Sequence, residues 1–131
     1  MDGLGRPPGR EILFGVGAED AAALGQVFQQ SGVPFSRSSA EGAGANLGFN
    51  LAGVSLMAVT LVDPAEMAAR TVAIAGVLAK FIQSRNRHVY VKYQDGDFEI
   101  MTPADSPEDF ARLLKRVTTD RPATLWIIPR R

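Results

Sequence analysis

The stretch that most limits what this chain can become is "DPAEMAARTVAIAGVLAKFIQSR", residues 63 to 85, where helix formers run on with few polar interruptions. Its start is well marked: Asp63 can cap, Pro64 suits the first helical position, and Glu66 can reach back to the cap's backbone N–H. Met67, Thr71, Ile74, Leu78 and Phe81 form one stripe, and Val72, Ala75, Ala79 and Ile82 widen it. A stripe so wide predicts a helix covered over most of its circumference, the central helix of a packed domain. Lys80, Arg85 and Arg87 fall at or beyond its end, where cations complement the helix dipole.

Directly after it, "VYVKYQDGDFEI" reads as a β-hairpin. A two-residue Asp95-Gly96 turn, for which Asp-Gly supplies the positive φ angles, pairs Tyr93 with Phe98, Lys92 with Glu99 and Val91 with Ile100. That register predicts one face of Val89, Val91, Tyr93, Phe98 and Ile100 packed on helices. The other face, Tyr90, Lys92, Gln94, Asp97, Glu99 and Met101, is then left to water.

The remaining elements are read in the same way. In "EILFGVG", Ile12, Phe14 and Val16 share one face of a strand. "AEDAAALGQVFQQSG" opens with acids and closes on Gly32 as a helix should, with Leu24, Val27 and Phe28 toward the core. "VPFSRSSA" is a short edge strand or a loop. In "SPEDFARLLKRV", Ser106 caps, Pro107 takes the first helical position, and Phe110, Leu113, Leu114 and Val117 make an unbroken apolar stripe. "ATLWIIP", residues 123 to 129, is a final strand or an apolar tail that needs a groove. The sum is an α+β fold: a small mixed sheet whose C-terminal-half hairpin packs against a long central helix with flanking helices. Residues 1–10, rich in Gly and Pro, read as a loose tail, and 11–131 as one domain.

From Gly42 to Val62 there is no charged residue. About 20 apolar residues can span a bilayer. Here, however, four glycines, two asparagines, a serine and a threonine dilute the run, and no basic cluster flanks it. A buried helix, or helix plus strand, is the favoured reading, with a membrane-associated or oligomer-forming segment as the alternative. Lys plus Arg and Asp plus Glu are each 14, so the formal net charge is zero, which argues against bulk nucleic-acid binding. The chain has no cysteine, which removes disulfides, thiolate metal sites and cysteine nucleophiles. The N-terminus has no apolar core followed by a cleavage site, so a cytoplasmic location is the default expectation.

Reactive constellations are scarce. His88 is the single histidine, so no His pair can hold zinc, and no neighbouring motif orients it for catalysis. Gly15 and Gly17 fall between a strand and a helix, as in a dinucleotide turn, but Asp20 stands where the third glycine belongs and would repel a phosphate. Gly42 and Gly44 lack the Lys-Ser or Lys-Thr of a P-loop. No catalytic residue, cofactor or metal is therefore assigned. A small enzyme or anion-binding module around Arg87 and His88 is the weakest alternative. The one basic cluster, "SRNRHVYVK", sets Arg85, Arg87, Tyr90 and Lys92 close together as candidate partner-binding residues, the competing reading being helix-end charge beside a solvated sheet face. Trp126 joins them as a candidate anchor, since Trp is enriched at interface hot spots, or else belongs to the core.

The stretch "VLAKFIQSRNRHVYVKYQDGDFEIMTPADSPEDFARLLKRV", about a third of the chain, resembles the effector-associated constant components of bacterial conflict systems, which are defence-like. Phe81, Ile82, Ser84, Arg85 and Arg87 match that family's helix end, and Asp95-Gly96 its hairpin turn. The resemblance implies a non-enzymatic component encoded beside a variable effector, such as a caspase-like or trypsin-like peptidase, which it couples to a sensor or holds in check. The expected function is that of an adaptor or regulator acting through protein–protein contacts, with self-association as a further expectation.

Overall fold

The computed structural model describes residues 10–39, 53–61 and 64–129. Along the chain these form β1 (Arg10–Val16), α1 (Ala18–Gln30), β2 (Ser36–Ser39), β3 (Ser55–Leu61), α2 (Pro64–Arg85), β4 (Arg87–Tyr93), β5 (Phe98–Met101), α3 (Pro107–Thr119) and β6 (Ala123–Pro129). The strands make one mixed sheet in the order β2-β3-β1-β6-β4-β5. The β1–β6 pair is parallel and the other neighbours are antiparallel. This is the α+β architecture anticipated, and "ATLWIIP" is a strand at the middle of the sheet.

Side chains alternate across a pleated strand, and here the alternation sorts the sheet into two unlike faces. One carries Ile12, Phe14, Val16, Met57, Val59, Val89, Val91, Leu125 and Ile127, all 0% exposed, and meets the three helices. From α1 come Leu24 and Phe28, from α2 Ile74, Leu78 and Ile82, from α3 Phe110, Leu113 and Leu114. Phe14 and Phe28 pack as tilted rings with centroids 5.6 Å apart.

Local chemistry explains the element ends. Gly32, at φ 70°, takes the left-handed conformation that ends α1, and Val33 N–H donates to the Phe28 carbonyl at 2.8 Å. Asn86, at φ 54°, makes the one-residue switch from α2 to β4, a conformation Asn tolerates better than most residues. Before α3 a reciprocal capping box forms: Asp109 N–H donates to Ser106 Oγ at 3.1 Å and Ser106 N–H to Asp109 Oδ2 at 2.9 Å. The Asp63–Glu66 cap and residues 42–52 and 62 of the uncharged run lie outside what is described. The part of the run that is described ends in β3, beside β1.

Two expectations are corrected. Val72 does not widen the covered stripe of α2, since it is 63% exposed on the outer side of the helix layer. The hairpin is one residue out of the expected register: Val91 pairs with Glu99 and Lys92 with Phe98. Gly96 N–H donates to the Tyr93 carbonyl at 3.0 Å, Tyr93 N–H donates to the Asp97 carbonyl at 2.9 Å, and Gly96 has φ 97°. The loop is therefore three residues, Gln94 to Gly96, with the glycine in the bulge position. A one-residue slip turns every side chain of the second strand over. Phe98 and Ile100, expected in the core, are 54% and 49% exposed. Glu99 and Met101, expected in water, lie on the helix side, and the Lys92–Glu99 pair does not form.

Candidate interaction surface

The face of the sheet away from the helices is organised in rows that cross all six strands. One row runs Ser38, Leu56, Gly15, Trp126, Tyr90, Ile100. The next runs Ser36, Ala58, Leu13, Thr124, Lys92, Phe98. Of the five residues singled out in the sequence, Tyr90, Lys92 and Trp126 therefore come together on this face.

At its centre the face is closed. Trp126 is 5% exposed, so it is a buried residue of the outer face rather than an exposed anchor. A Cβ added to Gly15 would lie 2.3 Å from one carbon of the Trp126 indole, which explains the glycine: it makes room for a ring, not for a phosphate. Toward β5 the face opens. The Tyr90 and Phe98 rings stack with centroids 5.2 Å apart and 12° between planes, and Ile100 sits opposite Tyr90. Lys92 Nζ donates to the Gly96 carbonyl at 3.3 Å at the rim. Because β5 is the last strand, its outer edge lacks a ladder partner among the described residues. The Tyr93–Asp97 hydrogen bond sets the alternation, so Phe98 and Ile100 direct their backbone groups toward that free edge. Phe98 N–H is already taken by Asp97 Oδ1 at 3.1 Å, so the edge backbone left without a ladder partner among the described residues is that of Ile100 and the Phe98 carbonyl, beside two apolar side chains.

Arg85 and Arg87 are elsewhere and occupied. Arg85 Nε donates to Asp20 Oδ1 at 2.8 Å and Arg87 Nε to Asp20 Oδ2 at 2.8 Å, with Glu19 alongside at 3.3 Å from Arg85. The Asp20 side chain is only 6% exposed, and two arginines supply the compensation that a buried carboxylate requires. Its hydrogen bond holds the Arg87 guanidinium more firmly protonated than an ordinary arginine, against a smaller opposing effect of desolvation. The cluster ties the start of α1 to the α2–β4 junction. His88 is the second residue of β4, on the outer face, paired across strands with Ile128 rather than lying in a loop.

A second polar cluster fixes the hairpin. Tyr93 Oη donates to Glu99 Oε1 and accepts from Arg116 Nη1 at 3.0 Å, and Arg116 also bonds Glu99 at 2.6 Å. Burial, then the bond to Glu99, pushes the Tyr93 hydroxyl above its ordinary pKa. Arg121 lies 4.0 Å over the Tyr93 ring and bonds Asp95 at 2.8 Å and Asp97 at 3.2 Å.

Among the described residues no group of three His, Asp or Glu side chains gathers to hold a metal, and no helix is long and apolar enough to cross a membrane. Comparison with protein-family models, with curated proteins and with solved structures gives no match for this chain. What sequence reasoning missed on this surface is Phe98 and Ile100. The missing signal is the loop length, since Asp-Gly serves both a two-residue turn and the turn-plus-bulge found here.

Proposed function

We propose that this protein is a non-catalytic interaction component, an adaptor or regulator, that binds a protein partner through the open end of its outer sheet face. The observation that carries the reading is the exposure of Phe98 and Ile100 beside the Tyr90 ring at a free strand edge. Apolar side chains held out on a rigid sheet, next to the strand edge at Ile100, suit strand addition by an extended segment, with main-chain bonds for affinity and side-chain contacts for selection. The resemblance of residues 77–117 to effector-associated components supplies the class of partner: a peptidase-like or other effector of a bacterial defence system, in the cytoplasm. Arg85 and Arg87 contribute to this reading as supports of the fold rather than as grips on the partner.

The test is an affinity capture of the tagged protein from its native host, with soluble and membrane fractions kept apart. Wild type is run beside Phe98→Lys/Ile100→Lys. Both substitutions are at half-exposed positions, so the variant should keep the wild-type circular dichroism and melting temperature. Recovery of an effector-like protein by wild type, lost in the folded double variant, supports the reading. Equal recovery by both, or recovery confined to membranes, overturns it.

A further inference from the structure

On the opposite side of the molecule, α2 and α3 leave a groove of about 410 Å³ between them. Its apolar lining is Met67, Ala68 and Val72 of α2 and Ala111 of α3. Met67, Thr71 and Val72 lie along one side and Ala111, Lys115 and Thr118 along the other, so the groove follows about one and a half turns of α2, roughly 7–8 Å, and about two turns of α3, roughly 11 Å. Val72, 63% exposed, is the apolar side chain that the fold leaves unburied here. The polar side of the groove is not neutral. Thr118 and Thr119 turn their hydroxyls back on their own helix, donating to the carbonyls of Leu114 at 2.9 Å and Lys115 at 2.7 Å. The charged groups among the described lining residues are both cations, Arg112 and Lys115. Arg112 pairs with Asp109, whereas Lys115 makes no ion pair among the described residues.

We infer that this groove is a second docking site, for an acidic amphipathic helical segment of a partner protein. Such a segment sets one or two large aliphatic side chains on Val72 and Ala111 and brings carboxylates to Lys115 and Arg112. The length suits it, since an i, i+4 pair of anchors spans about 6 Å and fits a groove of about one and a half to two turns. The charge selects it, since carboxylates are attracted and cations repelled at the same rim. The site goes beyond the sheet-face reading, and because helix layer and sheet face are on opposite sides, both can be filled at once. A protein so built joins two partners.

The test uses two synthetic amphipathic helical peptides with the same leucine stripe and either glutamate or lysine on the polar face. Each is titrated into the ¹⁵N-labelled full chain. The glutamate peptide should shift the amides of Val72, Ala111 and Lys115 and bind about fivefold tighter than the lysine peptide, as one or two rim ion pairs allow. Arg112→Glu/Lys115→Glu should reverse the preference and Phe98→Lys should leave it unchanged. No shift at these amides, equal binding of the two peptides, or shifts at Tyr90, Phe98 and Ile100 instead would each overturn the inference. Loss of binding in Phe98→Lys would do the same, and failure of the sheet-face reading would leave these results as they are.

Discussion

Gly15→Ala tests the packing that assigns Trp126 to the interior of the outer face. An added Cβ would lie 2.3, 2.5 and 2.8 Å from three carbons of the indole. Carbon pairs are comfortable at about 3.5–4.0 Å, so the ring must retreat by more than an ångström. It has little space to do so: Trp126 is 5% exposed, and Gly15 and Trp126 are register partners in the parallel β1–β6 pair at the centre of the sheet. Overpacking of this kind costs about 1–3 kcal/mol, and the closeness of three contacts puts it near 2–3. For a chain of this size that lowers Tm by roughly 10 °C. Trp126→Leu removes the clash together with the ring and itself costs about 2–4 kcal/mol through the space it leaves. The double variant should therefore be more stable than the sum of the two losses by about 2 kcal/mol. Urea unfolding followed by circular dichroism measures all three variants, and the emission of the only Trp in the chain reports the ring's displacement in Gly15→Ala. A Gly15→Ala variant within about 0.5 kcal/mol of wild type, with unchanged Trp emission, would refute the packing and restore Trp126 as a candidate anchor.

Three further outcomes are expected. Asp20→Ala leaves Arg85 and Arg87 partly buried without their carboxylate and should destabilise the fold by about 2–4 kcal/mol, while Glu19→Ala, at an 81% exposed side chain, should stay within about 0.5, both by chemical denaturation. The backbone and side-chain bonds from Ser106 hold the Asp109 carboxyl below its ordinary pKa, so its contribution is present above the usual Asp value near 3.9 and is lost as pH falls through the lower folded-state value; Asp109→Asn should flatten the acid limb of a Tm–pH profile, and an unchanged limb counts against the capping box. Burial and the bond to Glu99 raise the Tyr93 pKa, so its stabilising effect is complete below the usual Tyr value near 10 and fades as pH rises through the folded value; an ultraviolet titration should show a late phenolate component that Tyr93→Phe removes.

Long-period patterns were legible in the sequence and two-fold choices were not. The stripes of α2 and α3, the Ser106–Pro107 start and the alternation in β1 each rest on several residues that agree, and, Val72 of α2 apart, each appears as read. The hairpin register rested on one dipeptide. Phe98 and Ile100 are as apolar as Met101, and Asp95-Gly96 is compatible with either loop, so local sequence was nearly balanced. What tips it is distant: Tyr93 and Glu99 share Arg116 of α3, and Arg121 reaches back to Asp95 and Asp97. Val72 was misread for a similar reason, because apolar spacing around a helix does not say where its covering ends. The pairing of β1 with β6, more than a hundred residues apart, carried no local signal.

The candidate surfaces follow from what the fold leaves over once its charges are matched. Glu19 and Asp20 are answered by Arg85 and Arg87, Asp95 and Asp97 by Arg121, Glu99 by Arg116 and Asp109 by Arg112. An anionic partner at Arg85 and Arg87 would have to take them from a nearly buried Asp20 and leave that carboxylate uncompensated, a loss of the size expected for Asp20→Ala and larger than an exposed ion pair returns. The basic cluster is therefore conspicuous in the sequence and engaged in the fold. Exposed apolar groups carry no such internal claim. Phe98 and Ile100 on one side and Val72 on the other can be covered by a partner without breaking anything, and for that reason they, rather than the arginines, are where binding costs the fold least.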